Sequence, residues 1–193
     1  TLNYVQFAKD HGLMEEMVHE VMAPHGGAFH PKVWVLRFLP EDSRKEACIR
    51  LLILSRNLTD DRSWDLSLCL EGKPQGGIHK VNREIASFLR SLPGWSTKRL
   101  SAARLQDIES LASDLHRCTW ELPGAFEQIE FHVLGVGQKP RAFQFAASDQ
   151  TVIVSPFISN EAIGAVLGKS GTGLALVSRA EELSLLSEET RSR

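Results

Sequence analysis

Two ionisable side chains begin the most apolar segment in the first third of the sequence. His30 and Lys32 are two residues apart at the start of the β-branched and aromatic run 32–39. Residues at this spacing in a strand point to the same face of the sheet. An ammonium group neutralises phosphate oxygens, and an imidazole can attack phosphorus or transfer a proton. The pair therefore indicates a site for an anion, with a strand that simply starts in solvent as the alternative.

A second pair of polar side chains follows the next apolar segment. Ser55 ends the run 48–55, and Asn57 lies two residues further on. If the two runs are neighbouring strands, both loops can open at one edge of the sheet. The Asn57 amide and the Ser55 hydroxyl would then donate to the same phosphate. An ordinary hairpin with polar ends, in which Ser55 bonds its own backbone, is the alternative.

Several elements are predicted around these residues, and together they indicate an α/β fold with a mixed central sheet. Strands with short connections are followed by two amphipathic helices and then by further strands. Apolar positions in the first two dozen residues fit a helix better than a strand. In chain order, the predictions are a helix in 12–24, strands at 32–39, 48–55 and 64–72, helices at 81–92 and 102–115, and strands at 119–122 and 128–135.

The end of the chain has a different pattern. Strands at 151–159 and 173–179 alternate with helices at 160–167 and 180–189, and Asn160 is a suitable helix cap. This order is typical of a parallel βαβα unit. We therefore predict a first lobe over 1–150, with a helical insertion at about 77–117, and the start of a second lobe over 151–193.

These residues resemble the motifs of the phospholipase D superfamily. The family's H-x-K is similar to His30-Pro31-Lys32, and its G-S/G-x-N is similar to Leu54-Ser55-Arg56-Asn57. The continuation "NLT" and the nearby Trp64 are similar to bacterial nuclease-like members and to tyrosyl-DNA phosphodiesterases. The resemblance covers residues 28–72 most closely and extends to 151–186, where "TVIVSPFIS" looks like the strand that opens the second half of the fold.

The resemblance implies an α/β/α sandwich and a metal-independent phosphodiesterase without a cofactor. In the family, one histidine forms a covalent phosphohistidine and a second histidine protonates the leaving group. By this analogy His30 takes one of the two roles, and Lys32 and Asn57 bind the phosphoryl oxygens and stabilise the transition state. Ser55 and Asp65 are further candidates, for substrate binding and for orienting His30.

The sequence departs from the family pattern in three places. Arg37 stands where the family has an aspartate. The tyrosyl-DNA phosphodiesterase branch also lacks this aspartate. Leu54 replaces a glycine, and the sequence holds a single H-x-K where the family uses two. The segment around His132 echoes the one around His30, but its lysine position is Leu134. The second motif is therefore expected from a second copy of the chain or from a missing C-terminal lobe.

Other patterns in the sequence give weaker evidence for a functional site. The "GAVLGKSG" segment at 164–171 has three residues between its glycines and follows a helix, so it is not a phosphate-binding P-loop. The histidines near His19 lack the HExxH spacing of a zinc site. The three cysteines are isolated, which argues against a disulfide framework and for a cytoplasmic setting.

Composition favours a globular chain whose anionic partner is held by a local site. The chain has 193 residues, 42% of them hydrophobic, and a net charge of -2. No segment indicates membrane binding, and the local resemblance is to nuclease-type members, so nucleic acid rather than lipid is the expected partner. The leading hypothesis is a nuclease acting on DNA. The alternatives are a catalytically inactive phosphate-binding or nucleic-acid-binding module of a defence or repair assembly, and a lipid phosphodiesterase.

Overall fold

Residues 18–42, 46–57, 62, 65–136 and 146–192 are described by the structure, which is a computed structural model. The chain divides into an amino-terminal unit, 1–141, and a carboxy-terminal unit, 142–193. The predicted lobe boundary lies nine residues later, inside the first strand of the carboxy-terminal unit. Each unit is described by itself below.

A four-stranded antiparallel sheet forms the centre of the amino-terminal unit. Its strands are β1 (Val33–Phe38), β2 (Cys48–Leu54), β3 (Ser67–Pro74) and β4 (Cys118–Glu121), and they lie side by side in chain order. Val33 pairs with Ile53, and β2 pairs with β3 from Ile49 opposite Gly72 to Leu54 opposite Ser67. The beginning of β1, the end of β2 and the beginning of β3 therefore meet at one end of the sheet.

Two helices contribute the other half of the core. Helices α1 (Arg83–Trp95) and α2 (Ala102–His116) lie within the predicted insertion, each within three residues of its predicted bounds. Short 3-10 turns occupy Pro24–Gly26 and Lys80–Asn82. The hydrophobic core joins sheet and helices, and its fully buried members are Ile49, Leu51, Leu70, Ala112 and Leu115.

Alternation along the strands separates two faces of the sheet. Val33 and Val35 pack against the core, whereas Trp34 and Phe38 remain 46% and 48% exposed. Gly72 in β3 lies so close to β4 that an added Cβ would come within 2.7 Å of the Thr119 carbonyl oxygen. A strand position with this little room accepts no side chain, which fixes the approach of β4 to β3.

Asn82 is a fully buried polar residue that joins the helical segment to the sheet edge. Its Nδ2 donates to the Cys118 carbonyl at 2.7 Å, and its Oδ1 accepts from the Trp120 indole Nε1 at 2.7 Å. A buried amide is tolerated when its groups are paired in this way. Burial also raises the pKa of the neighbouring Cys118 thiol to about 12, so this cysteine stays protonated.

The carboxy-terminal unit is built on a parallel strand pair. Strands β5 (Ser148–Val154) and β6 (Ser170–Val177) are parallel and are linked by helix α3 (Asn160–Leu167). Helices α4 (Ala180–Leu185) and α5 (Glu188–Arg191) follow. The predicted β-α-β order is confirmed. The chain is therefore an α/β protein with an antiparallel sheet in one unit and a parallel pair in the other.

The cap of α3 differs from the prediction by one residue. Ser159 is the N-cap, and its hydroxyl accepts from the Ala162 amide at 3.2 Å. Asn160 is the first helical residue, and its Oδ1 accepts from the Ser187 amide at 3.0 Å. Both residue types can cap a helix, and the geometry of the preceding turn selects the serine.

Three other sequence predictions are corrected. Residues 128–133 are not a strand, because Phe131 inserts into the core and the Val133 amide donates to the Glu84 carboxylate at 2.9 Å. The described part of the predicted amino-terminal helix, 18–22, is extended: Val21 bridges to Ser96. The third strand begins at Ser67, and Leu66 is exposed rather than part of a buried face. Outside the described residues lie Trp64, residues 141–145 and the part of the predicted amino-terminal helix before residue 18.

Candidate active site

The candidate residues lie at the end of the sheet where β1 begins and β2 ends. The Leu54 amide donates to the Lys32 carbonyl at 2.9 Å, which extends the β1–β2 pairing to the first residue before β1. The Ser55 amide donates to the Leu66 carbonyl at 2.9 Å, and this bond extends the β2–β3 pairing by one residue beyond each strand. The antiparallel register thus brings the H-x-K segment beside the segment that carries Ser55 and Asn57.

His30 and Lys32 are in direct contact. The Lys32 Nζ is 2.8 Å from Nδ1 and 3.2 Å from Nε2 of the His30 imidazole, and it donates to the His30 carbonyl at 3.0 Å. An ammonium this close to both ring nitrogens lies against the ring rather than along either in-plane lone pair, so the contact assigns no tautomer to His30. His30 is exposed and Lys32 is half-buried, so both are accessible to a phosphate from solvent.

Ser55 and Asp65 bond each other. The Ser55 Oγ donates to the Asp65 carboxylate and accepts from the Leu66 amide at 3.0 Å. These two bonds, with the Ser55 backbone bond to Leu66, close the base of the loop that connects β2 to β3. Ser55 and Asp65 therefore hold the loop in place, and the sequence-predicted role of Ser55 in binding substrate would require its hydroxyl to leave this carboxylate.

Asn57 is exposed and lies at the same end of the sheet. It follows Leu54, the last residue of β2, by three positions, on the loop whose base Ser55 and Asp65 close. The placement is the one the phosphate hypothesis requires, because an Asn57 at the opposite end of β2 would be separated from Lys32 by the length of the strand. Contact of Asn57 with a phosphate held by Lys32 stays a prediction.

Arg37, the residue at the family's aspartate position, has a structural contact. Its Nη1 donates to the Asp114 carboxylate at 3.0 Å and to the Ser110 hydroxyl at 2.8 Å, both on α2. Both members of the ion pair are mostly buried, so the bridge joins β1 to α2 under the sheet. Arg37 thus lies on the helix-covered side of β1.

A cavity of about 780 Å³ opens beside His30. Its walls are mainly aromatic and aliphatic, and its polar lining includes His30, Glu130 and His132. The His132 Nε2 is 3.2 Å from the Glu130 carboxylate. Sequence reasoning found no partner for His132, although the Phe-His dipeptide occurs at both 29–30 and 131–132, and both copies line this cavity. The repeated dipeptide is the sequence feature that could have linked His132 to the site.

Two further observations concern the described residues only. No three His, Cys, Asp or Glu side chains among them come close enough together to hold a metal ion. In the same part of the chain, no helix combines the length and apolar character needed to cross a membrane.

Comparison with known proteins places the chain in no family. No family model, no curated protein and no solved structure matches it. The function is therefore inferred from the arrangement of its own residues.

Proposed function

We propose that the chain is a metal-independent phosphodiesterase of the phospholipase D type, acting on DNA. The observation that supports this most is the contact between the Lys32 ammonium and the His30 imidazole, at the end of the sheet where Asn57 also emerges. A cation, a nucleophilic ring and an amide donor at one open edge suit a tetrahedral phosphate. The segment "NLT" at 57–59, which is similar to that of nuclease-like members, favours DNA over lipid as the substrate class.

The proposed reaction has two steps, with atoms and protons balanced. A histidine nitrogen attacks phosphorus, a P–N bond forms, and the P–O bond to the leaving group breaks while a second histidine protonates the leaving oxygen. Water then attacks phosphorus, the P–N bond breaks, and the second histidine takes a proton from the water. Lys32 and Asn57 bind the non-bridging oxygens, whose charge increases in the pentavalent transition state.

The site is proposed to be composite, because the sequence has one H-x-K and the two-step reaction needs two imidazoles. A second copy of the chain, or a longer parent chain, would supply the other one. In a two-fold assembly, one His30 is the nucleophile and the His30 of the second copy is the acid. The fold of such an assembly is proposed to be the α/β/α sandwich that the family resemblance implies.

Hydrolysis of bis(p-nitrophenyl) phosphate and of single-stranded DNA, measured with excess EDTA, tests the proposal. We expect His30→Ala to abolish turnover and Lys32→Ala to lower kcat by about 100-fold to 1000-fold, since each removes a group that acts in the transition state. His19→Ala, which changes an exposed histidine outside the site, serves as the matched control. An acid-labile, alkali-stable phosphoryl adduct should accumulate on rapid quenching.

Full activity of His30→Ala, or strict dependence on an added metal, would contradict the proposal. Folding of each variant is checked by circular dichroism, so that loss of turnover is not confused with unfolding.

A non-catalytic phosphate-binding module is the second candidate, and one observation favours it. The Lys32 ammonium lies against the His30 ring, 2.8 Å from Nδ1 and 3.2 Å from Nε2, so the two side chains bind each other until the ammonium moves. If phosphate binding does not draw Lys32 away, the chain holds a DNA phosphate without cleaving it. Lys32-dependent oligonucleotide binding, with no turnover under any condition above, would support this candidate.

A further inference from the structure

The cavity beside His30 has the size and lining of a ligand site. Its volume of about 780 Å³ lies within the ordinary range for small-molecule pockets, which are mostly apolar with a few convergent polar groups. His30 stands in its wall, so a phosphate bound at His30 and Lys32 has its substituent at the cavity entrance. The proposed function does not account for this space.

Aromatic side chains form one wall of the cavity. The rings of Phe29 and Phe88 are nearly parallel, with centroids 6.3 Å apart, and the Trp95 ring lies 6.4 Å from Phe29 and 6.3 Å from Phe88. Phe88 is buried, whereas Phe29 is 36% exposed and immediately precedes His30. Phe29 and Phe88 stack with an interplanar angle of 18°, whereas Trp95 meets Phe29 edge-on at 76°, so the partly exposed Phe29 ring offers the face on which a planar ligand can stack.

The remaining polar groups lie on the segment that Phe131 anchors in the core. Glu130 and His132 flank Phe131, both line the cavity, and their side chains lie 3.2 Å apart. A carboxylate repels a second phosphate but accepts hydrogen bonds from amino groups. The ligand that fits is therefore planar, aromatic and, at its edge, a hydrogen-bond donor.

We propose that this cavity binds a nucleobase of the nucleotide whose phosphate is held at His30 and Lys32. The base stacks on the Phe29 face, and its exocyclic amino group donates to Glu130, as cytosine amino groups do to carboxylates elsewhere. The inference rests on the proposed function and deepens it: the substrate is single-stranded, and cytosine, which carries an amino group, binds more tightly than thymine. Duplex DNA does not fit, because its bases are stacked within the helix.

Equilibrium binding of short oligonucleotides to the full chain tests the inference without requiring turnover. Calorimetry compares three tetradeoxynucleotides of equal charge: all-cytidine, all-thymidine and all-abasic. We expect the cytidine tetramer to bind about tenfold more tightly than the abasic one, which is the size of effect that stacking a base on an aromatic ring gives. The thymidine tetramer should lie between them.

Three variants connect the effect to named side chains. Phe29→Leu should lower cytidine affinity to nearly the abasic value and leave abasic affinity unchanged. Glu130→Gln should reduce the difference between cytidine and thymidine. Phe38→Leu changes an aromatic residue of similar exposure on the other face of the sheet, and it should change none of the affinities.

The outcomes separate the base site from the phosphate site. Equal affinity for cytidine and abasic tetramers, with Lys32→Ala weakening both, would overturn the base site and leave the phosphate site intact. Absence of binding by every tetramer would overturn both. A quaternary ammonium is the other ligand that aromatic rings with a carboxylate can attract; tighter binding of p-nitrophenyl phosphorylcholine than of methyl p-nitrophenyl phosphate, without a base effect, would also overturn the base site.

Discussion

At the scale of single residues, the site depends on the Lys32 ammonium having two alternative partners. It contacts the His30 ring and carbonyl. A phosphate oxygen carries more negative charge than an imidazole nitrogen, so a bound phosphodiester would compete for the same ammonium. Movement of Lys32 to the phosphate would separate the ammonium from the imidazole. Under the proposed function, the contact would link phosphate binding to the release of the His30 ring.

Arg37 has a structural role at the same scale. Arg37→Asp would introduce the acidic residue of the family that the sequence resembles, but it would remove the bridge to Asp114 and put two carboxylates together in a mostly buried place. We expect a loss of about 3 kcal/mol in the free energy of unfolding and no gain in activity. Urea titration followed by tryptophan fluorescence measures the free energy of unfolding, and the diester assay measures the activity.

Arg50→Asp is the matched control for this prediction. Arg50 pairs with Glu71 across neighbouring strands, and both side chains are about two-fifths exposed, so solvent screens the pair. Its replacement should therefore cost much less stability than that of Arg37. Equal losses for the two variants, or a gain of activity in Arg37→Asp, would contradict the structural role of Arg37.

At the scale of elements, the antiparallel pairing of β1, β2 and β3 assembles the site. One end of the sheet collects the start of β1, the end of β2 and the loop closed by Ser55 and Asp65. Because the strands are held by backbone bonds, the loop ends keep their positions while the side chains on them stay accessible. The rigid part of the site is therefore the sheet end, and the ligand-contacting groups project from it.

Asn82 makes an element-scale prediction, because it joins the 3-10 turn before α1 to β4. Asn82→Leu would leave the Trp120 indole and the Cys118 carbonyl without their buried partner. We expect the free energy of unfolding to fall by about 2–4 kcal/mol, since each unpaired buried group carries a desolvation cost.

Urea titration measures the Asn82 effect, and Gln75→Leu is its control. Gln75 is an exposed amide whose side chain bonds the Glu46 carboxylate at the surface, so its loss should change stability by less than about 0.5 kcal/mol. A stability change for Asn82→Leu as small as for Gln75→Leu would show that the buried bonds contribute little.

At the scale of the whole molecule, one H-x-K and an incompletely covered parallel pair both fit a composite assembly. Val152 and Val154 of β5 are 70% and 76% exposed, although parallel strands are ordinarily covered on both faces. Further protein packed on this face would bury them. The proposal that a second copy or a longer parent chain completes the site therefore agrees with an independent feature of the carboxy-terminal unit.

Mixing experiments distinguish a two-fold site from a self-contained one. When equal amounts of unaltered chain and His30→Ala are unfolded and refolded together, a two-fold site that needs both histidines retains about one quarter of full activity, because mixed pairs are inactive. Independent chains retain about one half. Mixing with His19→Ala should cause no loss, and retention of one half with His30→Ala would exclude the two-fold site.

The sequence by itself determined the local elements and the identity of the candidate groups. A β-branched and aromatic run predicted β1, and a nearly continuous apolar run predicted β2. Amphipathic patterns predicted α1 and α2, and the strand-helix-strand order at the end predicted a parallel pair, because these patterns follow from which side chains a regular backbone can bury. The spacing of His30 and Lys32 predicted that the two side chains share a face of a strand; both residues precede β1, which begins at Val33, and their side chains are in contact there.

Only the tertiary structure decided what lies across from these residues. It paired Arg37 with Asp114, bonded Ser55 to Asp65, replaced a predicted strand at 128–133 by a segment anchored through Phe131, and brought His132 to the cavity of His30. These contacts join residues up to about a hundred positions apart in the chain. Local propensity does not specify contacts between residues so far apart in the chain, since these contacts result from how the helices and strands bury their apolar faces together.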